Sequence, residues 1–317
     1  MNANVGNNGW WGTVPRHKIA QDESQPGCMR GCMSEAKLNY WSYIGVDDLL
    51  GLGAPQTVFP DERVFIRFHQ MAELCFALII GELEQLLDAR VDRLAVWKGK
   101  LARVVHYYQL LGHLTGTLRH CLDREQFLAF RKALSPASAF QSYQYRKIEF
   151  LSARVYDLIP QERRACFSPE DAPEALFEQV YWRKAVSADR SDKERAMLVD
   201  FEEKYLGELR ELAVTASVRN VASQFASLPS AWRHDPELVN LLRHFDRLAN
   251  AVWPGIHYAL ASKLLDGEES GSTGGTDWRR YLKRSKQQRV CFFPELATGA
   301  DLQEFAEVTM DASGPLR

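Results

Sequence analysis

Hydrophobic residues recur every three to four positions over stretches too long for any β-strand, and that spacing constrains this chain more than anything else in it. The run opened by Pro60-Asp61-Glu62 keeps the 3.6-residue repeat to about Asp88, with Asp61 as the expected N-cap. Similar runs predict helices over roughly Val91–Leu122, Arg124–Leu134, Glu174–Ser187, Lys193–Val214 and Pro236–Leu265, and another through FQSYQYRKIEFLSARVYDL. Strand-like alternation is almost absent, and no repeat of 20–50 residues recurs. The expected fold is therefore all-α, a helical bundle.

The edges of the chain look different. Residues 1–37 are rich in Gly, Asn, Gln and Ser without periodicity and read as a flexible arm; 38–306 read as one all-α domain and 307–317 as a tail. The segment Asp266–Thr276 (DGEESGSTGGT) is a Gly/Ser loop. The longest strongly apolar stretch, around Leu74–Gly81, is too short to cross a bilayer, and the N-terminus lacks the pattern of a signal peptide. A cytoplasmic protein with no membrane partner is expected. Lys+Arg number 39 against 41 Asp+Glu, a net charge of -2, which argues against a nucleic-acid binder. Six cysteines form no disulfide framework. Cys28 and Cys32 make one C-x3-C with only His17 nearby, which reads as an exposed thiol pair before it reads as a metal site.

Few side chains stand out for chemistry. Phe65, His69, Ala72 and Phe76 share one face of the first long helix, so His69 points from an apolar stripe, with Glu73 four residues on as a partner. That describes a satisfied core histidine as well as a functional one. Arg131 lies four residues after Phe127, and an arginine beside aromatics needs an anion, either an internal carboxylate or that of a bound amino acid. His257 shares a face with Trp253, Leu260, Ala261 and Leu264, and Pro254 just before it should kink or loosen the helix. A histidine so surrounded suits a heme-iron ligand, and it also suits plain packing; His244 is the rival ligand. His106, His113 and His120 recur every seven residues, too far apart to share one ion, and read as a solvated face; His234 also reads as structural.

Taken in order, these segments resemble the tryptophan 2,3-dioxygenase family. The match is carried by Asp61-Glu62, Phe65-Ile66, His69-Gln70 and Glu73-Leu74, then Phe130-Arg131. It continues through Pro136-Ala137-Ser138-Ala139-Phe140-Gln141-Ser142, Gln144-Tyr145-Arg146 and Ile148-Glu149. Trp253, His257, Thr273-Gly274-Gly275, Tyr281-Leu282 and Phe293-Pro294-Glu295-Leu296 complete it. The resemblance implies a homotetramer, with a homodimer as the alternative, and one heme b per subunit acting on an aromatic amino acid with O2. It implies that His257, four residues after Trp253, is the axial iron ligand and that His69 is the catalytic distal histidine facing the indole N–H. Arg131 would pair with the substrate carboxylate, Thr273 would lie near its ammonium group, and Phe65 and Tyr145 would line the pocket. Tyr40, Tyr43 and Ile44 would reach a neighbouring subunit's site. The chain departs from the pattern at Cys75 (usually Trp), Phe127 (commonly Tyr), Ala139 (usually Gly) and Ser272 (usually Gly), and two extra residues separate His257 from the loop. The expected reaction is dioxygenation of L-tryptophan or a close derivative to N-formylkynurenine. The alternatives are a monooxygenase, making 2-oxindoles or hydroxylating tyrosine, and a heme carrier without turnover.

Overall fold

The computed structural model describes residues 39–88, 92–135, 137–184, 192–265 and 290–298. Every regular element among them is helical. The chain divides into two units, Met1–Leu52 and Gly53–Arg317. In the first, α1 (Tyr40–Ile44) and α2 (Val46–Gly51) meet at Gly45, whose φ of 61° is the left-handed conformation that glycine adopts without strain. Asn39 caps α1 by accepting the Ser42 N–H at 2.9 Å.

The second unit is built on α3 (Pro60–Leu86) and α4 (Leu94–Cys121). They run antiparallel: Glu82 near the end of α3 holds Lys100 and Arg103 near the start of α4, while Asp61 accepts the Asp123 N–H at 2.7 Å just beyond the end of α4. The start of α3 differs from expectation. Pro60 takes the first helical position, where its missing N–H costs nothing, so Phe59 is the N-cap and Asp61 falls inside the first turn. No side chain caps α3; Glu62 in its first turn, fully buried, instead ties down the preceding loop, accepting the backbone N–H groups of Gln56 and Thr57 at 2.6 and 2.8 Å and the Thr57 hydroxyl. Burial alone would raise its carboxyl; the hydrogen bonds from Thr57 and the two backbone groups outweigh that and lower it. Among the described residues α3 is the one helix long and apolar enough to cross a bilayer, but its Ala72, Phe76, Ile79 and Leu83 are buried in the core.

Several expected helices are subdivided. α5 (Arg124–Phe130) tightens into a 3-10 turn, Arg131–Leu134. The stretch expected as one helix through residue 158 is a 3-10 turn (Ala139–Gln141), α6 (Tyr143–Ser152) and another 3-10 turn (Val155–Leu158). Serine caps begin the first two pieces: Ser138 and Gln141 form a capping box, and Ser142 accepts the Tyr145 N–H at 3.2 Å to start α6, which ends where Ala153 turns extended. α7 (Gln161–Arg164), unforeseen, follows. The helix expected over 174–187 is instead α8 (Pro173–Phe177) and α9 (Tyr181–Lys184). Leu176, Phe177, Val180, Tyr181 and Trp182 are all buried, more than one helical stripe holds, so the chain must turn among them. α10 (Asp192–Val218) packs against α6 and α8. α11 (Val221–Ser227) and α12 (Ser230–Arg233) are too short to leave a periodic signature.

The last long rod is α13 (Pro236–Arg247), a π-helical segment (Leu248–Val252) and α14 (Trp253–Leu265). It runs parallel to α4, tied by Lys98 to Asp235 and Glu237 at one end and by Lys263 to the Arg119 carbonyl at the other. The loosening expected at Pro254 takes this π form. A proline in α register would clash with the carbonyl four residues back, and the wider turn relieves the clash.

One buried carboxylate fastens the C-terminal segment to this rod. Asp246 accepts the backbone N–H groups of Phe292 and Phe293, both at 3.1 Å, the Cys291 thiol at 2.9 Å and the Asn250 amide at 2.7 Å. Burial raises its pKa against the pull of these donors. Asp246→Ala would strand two buried N–H groups, and the expected loss is about 3–5 kcal/mol. Urea denaturation of the full chain checks it, with Asp246→Asn, which keeps one acceptor, falling between the two.

Candidate functional site

The N-terminal half of α3, α5 and α14 enclose a second hydrophobic cluster made of Phe68, Leu118, Leu122, Phe127, Phe130, Leu260, Leu264 and Leu265. Its aromatic rings carry His69 and Arg131 on their edges. The Phe65 ring lies 4.3 Å from the His69 ring and 5.9 Å from Phe127, and Phe68 meets His69 edge-on at 5.2 Å. Phe68 has no place in the sequence expectation, and only its position one residue before His69 hints at it. Arg131 is buried, with its guanidinium 6.0 Å from the Phe127 ring centre, so the shared face expected for these residues is present although a 3-10 turn carries the arginine. An arginine packed beside an aromatic face directs its planar fork of donors sideways, along the ring.

His257 enters from α14. Its ring lies 4.4 Å from Trp253, edge-on, and Trp253 meets Phe76 of α3 at 5.9 Å. Phe76 in turn contacts Tyr145 at 5.6 Å, so α3, α6 and α14 are joined ring to ring behind the imidazole. Burial first, and then the charge of His69, lower the pKa of His257 to about 4, while a hydrogen bond to the Trp253 backbone opposes the shift, so the two imidazoles are near enough to feel one another. Burial likewise lowers His69, against a backbone hydrogen bond to Phe65 and the charge of Glu73. Both histidines are half-buried. His244, the rival ligand, is lowered by burial and by Arg247, and His69 does not figure among its influences.

Both shifts favour the neutral imidazole, which has one N–H and one lone pair. His69 Nδ1 lies 2.8 Å from the Phe65 carbonyl, which only accepts; Nδ1 must carry the proton and Nε2 is left as an acceptor. Glu73 is not the direct partner, since its carboxylate accepts the Gln144 amide at 2.8 Å. His257 spends one ring nitrogen on the Trp253 backbone, leaving a lone pair on the other, which is what a metal requires of imidazole.

Of the other expected positions, Tyr40 and Tyr43 stand exposed on α1 in the first unit. The Thr273 loop with Ser272 and Thr276, Tyr281-Leu282, Pro136, Cys28 and Cys32 lie outside the described residues. His106, His113, His120 and His234 are exposed, as expected of structural histidines. Among the described residues no group of three His, Cys, Asp or Glu side chains is placed to hold a metal ion by itself. Cys75, where the family pattern has tryptophan, is buried in the main core, and burial raises its thiol pKa.

Comparison with known proteins identifies the family. The family profile described as tryptophan 2,3-dioxygenase matches residues 23–164, which include His69, Arg131 and Tyr145. The protein named tryptophan 2,3-dioxygenase from Ruegeria pomeroyi is 30% identical over 288 residues, covering 87% of this chain and 96% of the relative. Proteins of the same name from Polaromonas sp. and Herpetosiphon aurantiacus are each 28% identical, covering 90% and 85% of this chain and 92% and 100% of the relatives. Likeness of that extent, running through both histidine-bearing helices, makes this chain a member of the tryptophan 2,3-dioxygenase family and an oxidoreductase.

Proposed function

We propose that this chain is a heme-dependent dioxygenase that opens the indole ring of L-tryptophan, or a close derivative, to the N-formylkynurenine product, working as a cytoplasmic homotetramer. The observation that carries the reading is the pair of neutral imidazoles brought together from α3 and α14, each with one nitrogen engaged by backbone and the other available. The residues fit heme b: His257 offers a lone pair from a wall of Trp253 and Phe76, and the surroundings are aromatic and aliphatic, as a flat apolar macrocycle needs. Bound there, heme supplies the iron at which O2 is activated.

The chain's own residues then orient the substrate. His69 accepts the indole N–H at Nε2 and holds the ring without needing to take its proton. Phe65, its ring tilted against His69, offers an apolar face for the indole. Arg131 takes the carboxylate with its donor fork, aimed by the Phe127 ring beneath it. Phe127 has no hydroxyl, so the amino-acid end relies on Arg131 and on the loop of Thr273, to which we assign the ammonium contact. Tyr145 closes the pocket from α6, and Tyr40 and Tyr43 of α1 reach a neighbouring subunit's site.

Turnover under 18O2 tests the reading. The expected product carries two labelled atoms and forms without ascorbate or peroxide. A single labelled atom with strict dependence on a reductant or peroxide would make this member a monooxygenase.

A further inference from the structure

We propose that Tyr145 is a positioning residue for His257, its hydroxyl standing in for a backbone donor that Pro254 cannot supply. The hydrogen-bond register of the π segment leaves one carbonyl short of a backbone donor. The Trp253 N–H reaches back five residues to the Leu248 carbonyl. The next bond in that register would run from residue 254 to the Ala249 carbonyl, and residue 254 is proline, which has no N–H. Water does not serve the carbonyl from outside, because Ala249 is completely buried and its neighbours Leu248 and Asn250 are buried with it. The donor that arrives is the Tyr145 hydroxyl, 3.1 Å from the Ala249 oxygen.

Tyr145 is well founded for such a task. Its own N–H is held by Ser142 at the start of α6, and its ring packs on Phe76, which also backs Trp253. Trp253 begins α14 and meets His257 at 4.4 Å. One side chain thus grips the rod just before the imidazole, by its hydroxyl on the backbone and by its ring through Phe76. The role goes beyond lining a pocket, and its consequence for the iron rests on His257 being the ligand.

The test is a double-mutant cycle on the full-length holoenzyme with Tyr145→Phe, Pro254→Ala and both together. Three quantities are read: the iron–histidine stretching band of the ferrous protein, the rate of heme transfer to apomyoglobin, and the thermal midpoint. With Pro254 present, Tyr145→Phe should shift the band and speed heme loss about tenfold, the scale expected for a buried carbonyl left without a donor. In the Pro254→Ala background the new N–H supplies that carbonyl, and the same change should alter heme loss less than about twofold. Equal effects in both backgrounds, or none in either, would overturn the proposal. Absence of an iron–histidine band from the unaltered protein, with the thermal midpoints still coupled, would instead overturn the ligand assignment and leave the Tyr145–Pro254 pairing in place.

Discussion

His257→Ala should purify as a folded helical protein that has lost its heme. Losing a residue that merely orients a ligand costs up to about 100-fold in affinity, and losing the only protein-to-iron bond costs more. The fold should survive, because His257 is only half-buried and the core residues of α14, Leu260, Leu264 and Leu265, remain. His244→Ala is the matched control and should keep full heme, since His244 lies on α13, across the π segment from His257. Heme per chain and the far-ultraviolet circular dichroism spectrum decide the point. Free imidazole added to His257→Ala should restore part of the heme by occupying the space the ring vacates. Retention of heme by His257→Ala, with loss in His244→Ala, would reverse the assignment.

The second large effect is expected at Arg131. Truncation to alanine removes a charged, forked contact from a desolvated site, worth about 2–4 kcal/mol. That corresponds to a loss of roughly 30- to 1,000-fold in kcat/KM for tryptophan, mostly through KM. Tryptamine, which has no carboxylate, should lose little. The comparison isolates the carboxylate from general damage, because Arg131 is buried beside Phe127 and its removal also leaves a void. Equal losses for the two substrates would mean that Arg131 only supports the packing of α5.

The helical class, and the helices that carry the site, were legible in the sequence because a 3.6-residue stripe sustained over 27 or 28 residues, as in α3 and α4, has one structural solution. The faces shared by Phe65 with His69 and by Trp253 with His257 follow from the same geometry. What periodicity could not show was local. Pro60 displaced the cap from Asp61 to Phe59, and one expected helix falls into three pieces, the first two begun by serine caps. The partner of His69 differs from expectation because a carbonyl four residues back competes with Glu73 four residues ahead, and spacing alone does not rank them. Asp246 as the holder of the CFFP segment was not legible, since its four donors include residues forty-odd positions away. An acid between the buried Phe245 and Leu248 was the available clue.

The π segment also bears on how the rod evolves. A helix that widens for one turn holds an extra residue without lengthening in proportion, so its two halves are out of phase. Each residue gained or lost there turns one half against the other by about 100°. Asp246, which grips the C-terminal segment, and His257, whose ring meets Trp253, lie on opposite sides of that join. The two grips therefore keep their directions only as a pair. A substitution within Leu248–Val252 is a question of volume, whereas a single deletion is a question of bearing, and it would aim one of the two functions at the wrong neighbour.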